Sequence, residues 1–105
     1  MSEADRIIAR LNLAPHPEGG WYRQTWVGPD LHIGTNTRAS GTAILFLLKA
    51  DERSHWHRVD ADEIWIWNAG SPLTLRIGRQ VVTLGPDVLG DQQVQALVPA
   101  GDWQA

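Results

Sequence analysis

The sequence predicts an all-β domain carrying one short N-terminal helix, and three observations point there. Short stretches rich in branched and aromatic residues recur at close spacing. Glycine and proline clusters separate them, as in antiparallel sandwiches and barrels. The 105 residues suit one domain, residues 1–105, with a core of little margin.

The helix comes first. Ser2 is placed to cap it, with Asp5 three residues on as partner, and Ile7, Ile8 and Leu11 form one apolar stripe. Asn12 and Pro15 supply the stop. "PHPEGG" then makes a rigid turn into "WYRQTW", which alternates as a strand does. "GPDLHIGTNT" reads as a loop or hairpin tip, with no specific role for His32. "GTAILFLLKA" is the most apolar segment and fits a strand buried on both faces. "DERS" is a charged turn, and "HWHRV", "EIWIWNA", "LTLRI", "QVVTL" and "QALVPA" follow as short strands.

Composition narrows the function. With a net charge of −3 and scattered arginines, no basic patch marks a nucleic-acid partner. The absence of cysteine excludes disulfides, thiolate zinc sites and cysteine nucleophiles. Neither a signal peptide nor a bilayer-length apolar run is present, so the expected compartment is the cytoplasm and no membrane partner is expected. Six tryptophans against one Phe and one Tyr suit a ligand pocket as well as a core.

The chemistry concentrates in "SHWHRVDADEIWIWNAG". Side chains at i and i+2 of a strand share a face, so His55 and His57 point one way. Glu63, Trp65 and Trp67 share a face in the same manner, with Ile64 and Ile66 on the other. If the two strands pair as a hairpin, imidazoles, carboxylate and indoles converge in a small-molecule site. Two histidines and a carboxylate suit a divalent transition metal. The same groups also suit general acid–base catalysis. Structural histidines on a sheet are the third alternative.

At these residues the chain resembles the cupin superfamily. "HWH", Glu63 and Gly70 look like the first cupin motif, and "PAGDWQ" looks like the end of the second. Four blocks, "LNLAPHPEGGWYRQTW", "GTAILFLLK", "HRVDADEIWIWNAGSPLTL" and "LVPAGDWQA", resemble the cupin family labelled domain of unknown function 985. The resemblance implies a jelly-roll barrel, or double-stranded β-helix, with an internal pocket, and a homodimer. Carried over position by position, its metal set is His55, His57, Glu63 and Gln104. Gln104 replaces the usual histidine of the second motif, and Lys49 stands where the first motif opens with glycine. A neutral amide is a poorer ligand than imidazole for zinc, iron or nickel. A tightly held metal is therefore not expected to be required.

Without a metal, His57 and Glu63 form an expected hydrogen-bonded acid–base pair, as in epimerases of similar fold. The leading expectation is proton transfer on a sugar or small carbonyl compound. A metal-dependent oxygenase and a non-catalytic binder are the alternatives. Trp65, Trp67, Trp103, Arg23 and Glu18 are candidate substrate contacts. Arg76 is a second arginine placed to reach inward, while His16 and Glu18 also fit a purely structural turn in which Glu18 bonds backbone amides. The resemblance also implies further strands beyond Ala105. The expectation is either a truncated chain or a sheet edge that a partner covers.

Overall fold

A computed structural model describes residues 2–105, which divide into two compact units, Met1–Ser54 and His55–Ala105. The chain is mostly strand, with one helix among the described residues. None of its helical structure is long and apolar enough to cross a membrane.

In the first unit, α1 spans Glu3–Leu11 and begins with a capping box. The Asp5 amide donates to Ser2 Oγ at 3.1 Å, and the Ser2 amide donates to the Asp5 carboxylate at 3.3 Å. Two of the helix's unpaired N-terminal donors gain acceptors in this way. Asn12 closes the helix in the left-handed region at φ 56°. Lys49 Nζ lies 2.9 Å from Asp5 Oδ1 and 5.4 Å from the Trp21 ring centroid. The hydrogen bond from that ammonium holds the Asp5 carboxyl below its ordinary range, and the carboxylate in turn raises Lys49. The lysine at the family's usual glycine position thus ties the helix to the sheet.

The sheet of this unit has the order β1 (Ala14–Pro15), β2 (Trp21–Val27), β5 (Thr42–Leu47), with every pairing antiparallel. Between β1 and β2, the "PHPEGG" turn is held by its own backbone and by an imidazole. The His16 amide donates to Gly20 O at 2.8 Å, and the Gly19 amide to His16 O at 3.1 Å. The Glu18 amide donates to His16 Nδ1 at 3.0 Å, so imidazole does the work expected of the Glu18 carboxylate. Edge-on contacts of His16 with Tyr22 (4.8 Å) and Phe46 (5.3 Å) fix its ring. The structural alternative for His16 is the one observed.

β5 departs from expectation. Among the described residues it pairs only with β2, and its first half is exposed, Ile44 to 45%. An apolar run by itself does not distinguish a doubly buried strand from an edge strand. The segment read as a loop or hairpin tip instead contains two paired strands, β3 (Asp30–Ile33) and β4 (Asn36–Ala39), where His32 Nδ1 meets its cross-strand neighbour Thr37 Oγ1 at 2.9 Å.

The second unit contains β6 (Glu63–Ile66), β7 (Leu73–Ile77), β8 (Gln80–Leu84), β9 (Gln92–Gln93) and β10 (Gln95–Val98). β7 and β8, which match the expected strands "LTLRI" and "QVVTL", form a tight antiparallel hairpin, and β9 adds to β8 in parallel. Leu75, Ile77, Leu84, Ala96 and Val98 make its core, with Trp65, Trp67, Leu73 and Val82 packed against it. Alternation sends Leu73, Leu75 and Ile77 inward and Thr74 and Arg76 outward, so Arg76 is exposed.

"HWHRV" is not a strand, and it does not pair with "EIWIW". β6 pairs instead with β10, and His57 makes an isolated bridge to Gln104. The turn at Pro99–Asp102 takes up the loop that leads into β6. The Gly101 amide donates to Val59 O at 2.8 Å, and the Ala100 amide to Asp62 Oδ1 at 2.9 Å. Gly101 sits at φ 85° with open space around the position of a Cβ. Gly101→Ala is therefore expected to cost about 1 kcal/mol, from backbone conformation alone. Urea unfolding with an unchanged slope would check it.

Candidate functional site

The registers of the second unit decide which side chains share a face. Residues directly opposite each other in an antiparallel ladder project to the same side. Glu63 stands opposite Val98 and Trp65 opposite Ala96, and both partners are buried. Glu63 and Trp65 are accordingly half-buried on the core side, while Ile64 and Ile66 face out. Gln104 lies between two strand-like neighbours, His57 on one flank and the core residue Ile77 on the other. With His57 it exchanges both backbone hydrogen bonds, at 2.8 and 3.0 Å. The His57 and Gln104 side chains thus leave on the face that Ile77 buries.

Gln104 is 1% exposed. Its side-chain oxygen accepts from Trp65 Nε1 at 2.9 Å. Indole nitrogen only donates, which settles which end of the amide is oxygen. The other end, Nε2, is buried and has no hydrogen-bond partner. A buried donor left unpaired costs about 1–3 kcal/mol, so a partnerless amide here calls for an acceptor.

The half-buried His57 ring is held from one side. Its Nδ1 lies 2.7 Å from His55 O, and a carbonyl can only accept, so Nδ1 carries the hydrogen. In the neutral ring, Nε2 therefore presents the lone pair. This overturns the expected His57–Glu63 hydrogen bond: the orienting partner is the His55 carbonyl. The cause is local. The backbone from His55 to His57 bends instead of extending, which carries the carbonyl at 55 under the ring. Among the described residues, the Glu63 carboxylate makes no hydrogen bond or ion pair.

The sequence candidates divide accordingly. His57, Glu63, Trp65 and Gln104 lie on the core side of the second unit, and Trp65 and Gln104 are in direct contact. Trp67 packs on the same core and donates to Ser71 O at 3.4 Å. His55 is exposed and contributes its carbonyl rather than its ring. Trp103 faces away from Gln104, as neighbours on an extended segment must, and is 48% exposed beneath Arg58 at 4.9 Å. Glu18 and Arg23 belong to the first unit, Glu18 half-buried in the "PHPEGG" turn and Arg23 exposed on β2 opposite Leu45.

A metal on His55, His57, Glu63 and Gln104 does not fit this arrangement. Among the described residues, no three His, Cys, Asp or Glu side chains gather into a metal-binding group. The oxygen of Gln104 is already engaged by an N–H donor, and its free end is itself a donor, which repels a cation. The donor role of Gln104 is what sequence reasoning missed. Its signal was available: an amide stands where the second motif carries imidazole.

Comparison with known proteins places the chain. The family model described as "Cupin superfamily (DUF985)" matches residues 5–105. A hypothetical protein from Leishmania major is 32% identical, with a TM-score of 0.89 over 98% of this chain and 68% of that one. A Shewanella oneidensis protein solved by X-ray crystallography is 35% identical, with a TM-score of 0.86 over 100% of this chain and 70% of the other. No curated protein matches. With a family-wide match in sequence and two close structural neighbours, the chain belongs to the cupin superfamily, in the DUF985 family.

Proposed function

We propose that this protein is a cytoplasmic small-molecule-binding cupin that moves a proton on a sugar or small carbonyl compound, in the manner of an epimerase or isomerase. The observation that carries this reading is the His57 ring, whose Nδ1–H is tied to the His55 carbonyl at 2.7 Å. A base needs its free nitrogen presented with a lone pair and its ring held still, and one hydrogen bond does both. Nε2 of His57 takes a proton from a carbon next to a carbonyl. Glu63, half-buried on the core side and with no side-chain partner among the described residues, is the second proton-handling group. Trp65 and Trp67 supply the apolar wall that orients a sugar ring. No step requires a metal.

The test is solvent exchange. Incubation with candidate aldoses and ketoses in deuterium oxide, followed by NMR of the recovered sugar, is expected to show deuterium at the carbon beside the carbonyl. A panel of such sugars recovered entirely protonated would end the enzymatic reading and leave a binding protein.

The reading includes the family's closed jelly roll and a homodimer. The outer face of the β6–β10 ribbon supports the dimer. Ile64 (63%), Ile66 (60%) and Leu97 (54%) lie exposed side by side there. Sedimentation at micromolar concentration is expected to give twice the 11.7 kDa chain mass, and Ile64→Lys to shift it toward monomer. A wild-type chain that sediments as a folded monomer would contradict the dimer.

A further inference from the structure

We propose that Gln104 binds the substrate's carbonyl oxygen, and that the ligand it selects is a neutral hydroxycarbonyl compound rather than a carboxylate or phosphate. The inference rests on the proton-transfer reading and names the substrate class of the same site.

Three observations lead there. Gln104 Nε2 is a buried donor without a partner, and Trp65 fixes its orientation by holding the amide oxygen. A donor held in place and unpaired in the protein is complementary to an acceptor that arrives with the ligand. Next, His57 stands directly opposite Gln104 on the ladder and sends its ring to the same face, with Nε2 as an acceptor. A ligand satisfying both groups offers an oxygen acceptor to the amide and a proton to the imidazole. A carbonyl with a hydroxyl-bearing carbon beside it does this. Finally, no cation of the second unit supports an anion here. Arg58, Arg76 and Arg79, the arginines of this unit, are all exposed, with Arg58 over Trp103 and Arg76 on the outward face of β7. Buried recognition of carboxylate or phosphate ordinarily recruits such a charge.

The step balances. His57 Nε2 removes the proton from the hydroxyl-bearing carbon. The C–H electron pair forms the new C=C bond, and the C=O π pair moves onto oxygen. That oxygen gains negative charge and draws closer to the Gln104 N–H. Return of the proton to the opposite face of the same carbon gives the epimer; return to the former carbonyl carbon, with the hydroxyl proton passing to the enediolate oxygen as the new C=O forms, gives the isomer, with no oxidant or reductant.

The probes are dihydroxyacetone, the smallest neutral hydroxycarbonyl, and pyruvate, an anionic carbonyl compound. In ¹⁵N-labelled full-length protein, the Gln104 side-chain NH₂ pair, identified by its loss in Gln104→Met, is followed during titration with each. Dihydroxyacetone is expected to shift that pair saturably, and pyruvate to leave it in place. Gln104→Met keeps the length of the side chain and removes the free donor, so it is expected to weaken dihydroxyacetone binding about tenfold, read from neighbouring backbone amides. An NH₂ pair unmoved by dihydroxyacetone, an equal response to pyruvate, or unchanged affinity in Gln104→Met would overturn the proposal. A saturable shift without deuterium exchange supports this binding site while sinking the proton-transfer reading. Exchange that continues at full rate in Gln104→Met does the opposite.

Discussion

His57→Gln is expected to lower solvent deuterium exchange into a bound sugar by a factor of about 100 to 10,000, the usual contribution of one positioned general base. Glutamine is the informative replacement. Its amide can still donate to the His55 carbonyl, which the imidazole contacts at 2.7 Å, so the bend at His55–His57 keeps its hydrogen bond. What disappears is the lone pair at Nε2. The backbone exchange with Gln104, at 2.8 and 3.0 Å, does not involve the side chain and should survive. Thermal unfolding within a few degrees of wild type would show that the fold is intact. Sugar binding measured alongside would separate lost chemistry from lost affinity. A His57→Gln protein that exchanges at the wild-type rate would remove His57 from the chemistry altogether.

The largest expected loss of stability comes from a glycine in the first unit. Gly20→Ala should destabilise by about 2–4 kcal/mol, the sum of a left-handed backbone penalty and overpacking. Gly20 is at φ 81°, and a Cβ there would stand 2.9 Å from Leu47 O, Leu48 Cδ2 and Phe46 Cζ. The two side-chain atoms can shift, but the carbonyl belongs to the β2–β5 ladder and cannot yield without breaking it. Gly101→Ala shares the backbone penalty but has open space around it, so the difference between the two variants isolates the clash. In a domain of this size, each 1 kcal/mol moves Tm by about 4–8 °C, so Gly20→Ala should melt roughly 8–32 °C below wild type. Equal melting temperatures for the two variants would show that the tight packing around Gly20 relaxes without cost.

Local signals were legible where the physics is local. The capping box at Ser2 and Asp5, the stop at Asn12 and the strands "LTLRI" and "QVVTL" depend on residues a few positions apart, and all stand as expected. Register was harder. "GTAILFLLKA" does not record how many neighbours its strand will have, and its strand has one. "HWHRV" carries strand-like alternation, yet β10 takes its place beside β6. The family resemblance drew attention to His57, Glu63 and Gln104 and suggested a metal for them. It did not contain the bond between Trp65 and Gln104 that takes up the amide oxygen.

By itself, the sequence determined the class of fold, the family and the short list of side chains with useful chemistry, because residue type and near-neighbour spacing suffice for these. Tertiary structure alone decided what those side chains do. His57 takes its tautomer from a neighbouring carbonyl, and Gln104 becomes a buried donor because an indole 39 residues away holds its oxygen. Hydrogen-bond direction and burial are properties of pairs that the fold brings together, and no single stretch of chain encodes both members of such a pair.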